Sequence, residues 1–271
     1  MEKEIGIAVF DTGIFSSHID LRQKTVAFSD YVGRRKNPYD DNGHGTHVAG
    51  IITGKRYGIA PECRLVVLKV LDSKGMGKSK DMLQAFKYVI ENRQRFNIRA
   101  ANISIGTGSK GKLSNMLVEG VEKMWDSGIV VVCAAGNGGP YRGSVTYPGV
   151  SKKVITVGAF DDEEYMDNVG KLHHNYSGRG PTSECVIKPD FLSYGGNVMS
   201  TSHKGGYCLK SGTSMATPKI TAIVAKILEK HPEMKPIDVK MYLKEAAVKL
   251  NEPLNRQGFG LIDPKEVLKK I

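Results

Sequence analysis

Apolar residues follow two alternating patterns along this 271-residue chain. Short, nearly unbroken runs rich in Val and Ile occur at residues 5–10, 65–70, 101–105, 129–134 and 154–157. Runs without polar alternation are the mark of strands buried on both faces. Between them, segments 44–52, 82–90 and 113–125 place apolar residues at helical spacing, with Leu83, Phe86, Val89 and Ile90 sharing one face. Such alternation predicts an α/β fold, a mostly parallel central sheet with helices on both faces. Ligands of such folds gather outside the carboxyl ends of the strands. Residues 160–212 break the pattern with Gly, Ser, Asp and Tyr and many turns. A long helix is then predicted over 214–230, its inner face carrying Ala216, Ile220, Ile223, Ile227 and Leu228. Pro232 and Pro236 interrupt the helical pattern, a second helix runs to about residue 249, and a last short one opens after Pro264. With no repeat, linker or low-complexity tract, the chain is expected to be one domain, 1–271.

Composition narrows the function classes. Hydrophobic residues make up 40% and charged residues 25%, the balance of an ordinary globular protein. No apolar run approaches the roughly 20 residues needed to cross a bilayer. The opening Met-Glu-Lys-Glu-Ile-Gly-Ile lacks a secretory signal pattern, so a cytoplasmic location is expected as written. The net charge of +11 is spread among interleaved acids and bases, a solvated surface rather than a nucleic-acid face. Cys63, Cys133, Cys185 and Cys208 show no CxxC or metal-ligand spacing, and reduced thiols are expected.

Three segments combine reactive side chains with small neighbours: Asp11-Thr-Gly13 at a strand end, Gly43-His44-Gly-Thr-His47-Val-Ala-Gly50 at a helix start, and Ser211-Gly-Thr-Ser214-Met-Ala-Thr-Pro218 at the start of the long helix. Taken singly, Asp11 could end a strand, His44 cap a helix and Ser214 serve as an N-cap. Together they are the residue types of an orienting anion, a general base and a nucleophile. His44 and His47 at i, i+3 could hold a metal, but no Glu lies between them and no third ligand is apparent.

With their flanks, in the order Asp, His, Ser, these segments resemble the subtilases, the subtilisin-like serine proteases. Ala134-Ala-Gly-Asn137, Ser104-Ile-Gly106, Ser177-Gly-Arg-Gly-Pro181, Lys188-Pro-Asp190 and Gly258-Phe-Gly260 extend the likeness over almost the whole chain. The resemblance implies a three-layer α/β/α subtilisin-like fold and a serine endopeptidase working through an acyl-enzyme. It makes Ser214 the nucleophile, His44 the base, Asp11 the group that orients the His, and Asn137 the oxyanion donor. It makes Gly75, Met76, Gly77 and Ser104, Ile105, Gly106 the two segments that sandwich a substrate strand. Ala134, Ala135, Gly136 and Thr146 form the pocket for the residue before the scissile bond (P1), and Met82 joins Ile105 in an apolar pocket further along. Thr146 offers no carboxylate to a basic P1, so apolar or neutral P1 residues are expected. The partner is a peptide or protein substrate, with no nucleic acid or membrane.

Departures and rivals matter too. Lys219 stands where the family usually has His, and Leu192-Ser-Tyr-Gly195 replaces an Ala-Pro-Gly turn. Asp20 matches a calcium-ligating acid of secreted relatives, but Gly54-Lys-Arg-Tyr-Gly58 is short and basic. No cofactor is therefore expected to be required, a tight calcium site is expected to be absent, and a weaker cation site at the carbonyls of Gly149, Ser151 and Val154 is a minor candidate. Without a loop to be organised around an ion before the core closes, folding without a pro-segment and activity without tight calcium are expected. Gly106-Thr-Gly108-Ser-Lys-Gly111 matches a dinucleotide GxGxxG, but the next strand ends Cys133-Ala134-Ala135 without the ribose-binding acid. A catalytically inactive peptide-binding relative and a peptide ligase or cyclase are the alternatives on the same scaffold.

Overall fold

A computed structural model describes residues 4–108, 110–166 and 172–271. The elements run β1 (Gly6–Asp11), β2 (Thr25–Asp30), α1 (His44–Thr53), β3 (Arg64–Lys69), α2 (Ser79–Asn92), β4 (Ile98–Ile103), α3 (Lys112–Asp126), β5 (Val130–Ala134) and β6 (Ile155–Ala159). They continue β7 (Glu164–Met166), β8 (Leu172–His174), β9 (Phe191–Ser193), β10 (Val198–Thr201), β11 (Tyr207–Lys210), α4 (Thr213–Lys230), α5 (Pro236–Ala246), α6 (Leu254–Gln257) and α7 (Pro264–Leu268). Seven strands form one sheet in the order β2-β3-β1-β4-β5-β6-β9, every pair parallel. The runs without polar alternation are buried on both faces, as predicted: every residue of β1, β5 and β6 is buried. Helices α1 and α4 pack together against β1, β4, β5 and β6, while α2 and α3 pair and meet β1 and β5.

Strand β2 has no counterpart in the sequence reading. It is an edge strand whose residues are mostly half-buried, so no apolar run announces it. β4 lies earlier than its apolar run, because pairing with β1 and β5 stops at Ile103 and frees Ser104 and Ile105. Two small antiparallel hairpins, β7–β8 and β10–β11, account for the turn-rich stretch.

The strand order reverses between β1 and β4, and the crevice at that switch point is where an open parallel sheet receives a ligand. Asp11 ends β1 and Ser104 follows β4, so both open into it.

Candidate active site

Asp11 is completely buried, and its Oδ1 accepts hydrogen bonds from Thr12 N (2.8 Å) and His44 Nδ1 (2.7 Å). The second bond fixes the imidazole with its Nε2 facing outward, and 24% of the His44 side chain is exposed. Burial opposes charge on His44, but attraction and hydrogen bonding to Asp11 outweigh it and raise its pKa above the ordinary value. The helix start must come close to β1: a Cβ on Gly45 would lie 2.2 Å from the Gly13 carbonyl oxygen. Asp40 holds that start in place. Its Oδ1 accepts from Thr12 Oγ1, Asn42 N and Gly43 N, and its Oδ2 from Thr46 N and Thr46 Oγ1. Burial costs the Asp40 carboxylate, yet the Thr46 and backbone donors win and hold its pKa below the usual range.

Ser214 is the second residue of α4, where the helix N-terminus favours developing negative charge. Pro218 lies inside the same helix and has no N–H for the carbonyl four residues back, which is that of Ser214. Ser104 Oγ takes the place of that donor, giving its proton to Ser214 O at 3.0 Å. Asn102 Nδ2 donates to Ser104 Oγ (2.9 Å), and Thr221 Oγ1 donates to Asn102 Oδ1 (2.9 Å). A buried polar chain thus ties the Ser214 backbone to the sheet. The Ser214 hydroxyl donates to the Ser104 carbonyl at 2.7 Å and not to His44, so reaction requires it to rotate toward the imidazole.

Asn137 Oδ1 accepts from Thr213 N (3.0 Å) and Thr213 Oγ1 (2.9 Å), which leaves Nδ2 to face Ser214's side of the cleft. Asn137, His44 and Ser214 line one cleft of about 480 Å³, together with Asn42, Glu164, Leu172, Leu209 and Lys210. A second cavity of about 210 Å³ lies beside it. Gly75, Met76, Gly77, Met82, Ile105 and Gly106 all line this cavity, as do Leu117 and Tyr147, which the sequence did not assign to it. Thr146 sits between two walls: a Cβ on Gly106 or on Gly136 would come within 2.3 or 2.5 Å of its side chain. Its N–H donates to Ala135 O (2.9 Å), and Thr107 and Tyr147 exchange backbone hydrogen bonds, so the base of this slot is fixed. Ala134 ends β5 and is buried with Ala135. Ser109 of the glycine motif lies outside the described residues. A Cβ on Gly108 or Gly111 would meet nothing, whereas Gly106 is required by Thr146.

Asp20 and the carbonyls of Gly149 and Val154 accept hydrogen bonds from the protein's own donors. Asp20 Oδ2 accepts from Arg56 N (3.1 Å) and Oδ1 from the Tyr207 hydroxyl (3.2 Å), while the Arg56 guanidinium sits 5.2 Å from the Tyr207 ring centre. The Val154 carbonyl takes the ammonium groups of both Lys188 (2.9 Å) and Lys240 (3.1 Å), and these also share Asp190. Gly149 O accepts from Thr156 Oγ1, and Ser151 Oγ donates to Glu122. Among the described residues no His, Cys, Asp or Glu group suited to a metal occurs. All four cysteines are free; burial pushes the Cys63 and Cys133 thiols up to about 12.

One turn along α1, His47 is completely buried, and its Nε2 faces the carbonyls of Val198 (3.0 Å) and Cys208 (3.1 Å). Nδ1 is buried without a hydrogen bond. Burial drives its pKa down to about 4, against the pull of the Cys208 carbonyl. The unfolded chain, with a histidine near 6.5, binds the extra proton first. Stability is therefore full above pH 6.5 and falls as the pH drops toward 4, by up to about 3 kcal/mol from this group. Denaturant midpoints between about pH 7 and 5, a window above most of the carboxylates' titration, should decline in the parent protein and stay nearly level in His47→Gln. A parallel decline in both proteins would assign the acid sensitivity elsewhere.

An Asp–His couple, a serine at a helix start and a side-chain amide lining the same cleft, placed at the carboxyl edge of a parallel sheet, are the residue types a serine-hydrolase site uses. The sequence profile of the subtilase family (Peptidase_S8) matches residues 2–260, and the chain belongs to that family. It is 37% identical to the serine protease AprX of Bacillus subtilis (strain 168), over 96% of this chain and 65% of that one. It is 34% identical to subtilisin DY of Bacillus licheniformis, over 96% and 89%. Among solved structures, sphericase superposes with a TM-score of 0.81 at 31% identity, covering 96% of this chain and 91% of the other. The chain spans 65% and 61% of the length of the first two curated relatives, AprX and the subtilisin of Bacillus sp. (strain TA39). Among the described residues no helix is long and apolar enough to cross a membrane.

Proposed function

We propose that the chain is a serine endopeptidase that cleaves peptide bonds through an acyl-enzyme, with Ser214 as nucleophile. The carrying observation is the Asp11–His44 hydrogen bond of 2.7 Å opening onto the cleft that holds Ser214 and Asn137. A substrate strand pairs along Ser104, Ile105 and Gly106, and its amide takes over the Ser104 carbonyl that holds the Ser214 hydroxyl at rest. Released, the hydroxyl turns to His44 Nε2, gives up its proton and attacks the carbonyl carbon. The oxyanion forms between the Asn137 amide and the Ser214 N–H. His44 then protonates the departing amine, and water repeats the sequence on the acyl-enzyme. The decisive experiment is labelling with a serine-directed fluorophosphonate, followed by mass-spectrometric mapping of bonds cut in a mixed peptide pool. Labelling anywhere but Ser214, or a pool left intact, would overturn the assignment.

Thr146 supports a preference for small neutral P1 residues, because its side chain occupies the slot between Gly106 and Gly136. Removing it in Thr146→Gly deepens the slot by roughly one to two methylenes. The expected result is a shift in kcat/KM toward Leu or Phe over Ala at P1 by about 10–100-fold, the discrimination one or two methylenes confer. An unchanged P1 profile in the same peptide series would place the pocket elsewhere.

Calcium independence is supported by the donors bonded to Asp20 and to the Gly149 and Val154 carbonyls. The expected result of refolding from denaturant in EDTA is full recovery of activity, with a melting temperature that millimolar calcium raises by less than about 10 °C. Failure to refold, or a larger rise, would show that a cation site exists despite Arg56, Lys188 and Lys240.

A further inference from the structure

Ser214 lines the larger of the two cavities, while the smaller one follows the residues next to Ser104, whose carbonyl holds the Ser214 hydroxyl. The smaller one runs along Ile105, Gly106 and Gly77, the segments that hold the acyl half of a substrate strand. The larger one therefore receives the leaving group, and its lining includes Lys210, the last residue of β11 and four residues before the nucleophile. The side chain of Lys210 is half-buried and makes no hydrogen bond or ion pair among the described residues. Lys69, for comparison, donates to Asp41 Oδ1 at 2.7 Å and to two carbonyls.

We propose that Lys210 selects a carboxylate directly after the scissile bond: an Asp or Glu side chain there, or the α-carboxylate of a leaving group one residue long. A substrate that closes over an unpaired ammonium strips its water without replacing it. A carboxylate at that place supplies the missing partner, while a basic residue adds repulsion. Glu164 lines the same cleft, but it belongs to β7, 4.0 Å from His174 and bordering a separate groove with Asp161 and Glu163. That acidic side lies at the start of β7 and just before it, whereas the Lys210 charge reaches His44 through space and opposes its protonation. The other charged groups around that ring are Asp11 from β1, Asp40 from the preceding loop and His47 from α1, and the His203 ring packs against Gly43.

The proposal rests on the proteolytic reading, and the experiment separates the two. Internally quenched peptides are prepared that differ only in the residue after the scissile bond: Asp, Asn or Lys. A second pair releases a single residue as free acid or as amide, which distinguishes the side-chain from the terminal carboxylate. The expected kcat/KM for Asp exceeds that for Asn by roughly three- to tenfold at low salt, and the advantage shrinks in 0.5 M salt by screening. Lys210→Gln should bring the Asp-to-Asn ratio to about 1, and Lys210→Glu should favour Lys. With the Asn peptide, Lys210→Gln should also move the acid limb of kcat/KM to higher pH, since a cation opposing the imidazolium is gone. Equal cleavage of all peptides by the parent protein, or a ratio unchanged in Lys210→Gln, would overturn the role of Lys210 alone. Cleavage of none would sink the proteolytic reading and the proposal with it.

Discussion

Ser214→Ala is expected to lower kcat by about 10⁶, and His44→Ala added to it to cost little more. The magnitude is carried over from subtilisin, the type enzyme of the family. The physical content lies in the non-additivity. His44 works only by taking the proton of the Ser214 hydroxyl, so once that hydroxyl is gone its loss removes nothing further. Asp11 acts one step further back, fixing the imidazole through Nδ1 at 2.7 Å and supporting its charge. Asp11→Asn should therefore leave a larger residue of activity than either of the other two changes. Steady-state rates of the single and double variants, normalised to folded protein, provide the check. Independent, multiplicative losses would mean that Ser214 and His44 serve different steps.

The meeting of Asp11, His44 and Ser214 was readable because each sits inside a contiguous motif whose neighbours have local jobs. Gly45 is small because the helix start touches Gly13, and Pro218 frees the Ser214 carbonyl for Ser104. Such requirements leave a trace within a few residues. The rest of the cleft does not. Lys210, Glu164 and Leu172 arrive beside Ser214 through two hairpins in the turn-rich stretch, where no periodicity marks which side chain faces inward. Asp40 stands four residues before His44, but its contacts with Thr12 and Thr46 depend on how β1 and α1 meet, which no local pattern encodes. The parallel sheet was evident from its doubly buried strands, whereas β2, exposed along one edge, carried no such signal. The short basic loop at Arg56 is a local feature, whereas the arrival of Lys188 and Lys240 at the Val154 carbonyl is a tertiary fact.

Asn137→Leu is expected to reduce kcat by about 10²–10³ with KM nearly unchanged, again on the scale known for subtilisin's oxyanion asparagine. The amide N–H meets charge that exists only once the carbonyl has become tetrahedral, so ground-state binding loses little when it is removed. This variant has a second consequence that must be separated from the first. Asn137 Oδ1 accepts from Thr213 N and Thr213 Oγ1, and leucine leaves both donors without that partner at the start of α4. Part of the loss could then come from a displaced Ser214 rather than from a missing oxyanion donor. Asn137→Asp distinguishes the two causes, because a carboxylate keeps the acceptor for Thr213 but has no N–H to offer. If the missing donor governs the rate, Asn137→Asp is at least as slow as Asn137→Leu, since its negative charge also repels the oxyanion. If the Thr213 contacts govern it, Asn137→Asp recovers most of the parent kcat. A rise in KM at constant kcat in either variant would instead make Asn137 a ligand of the bound substrate.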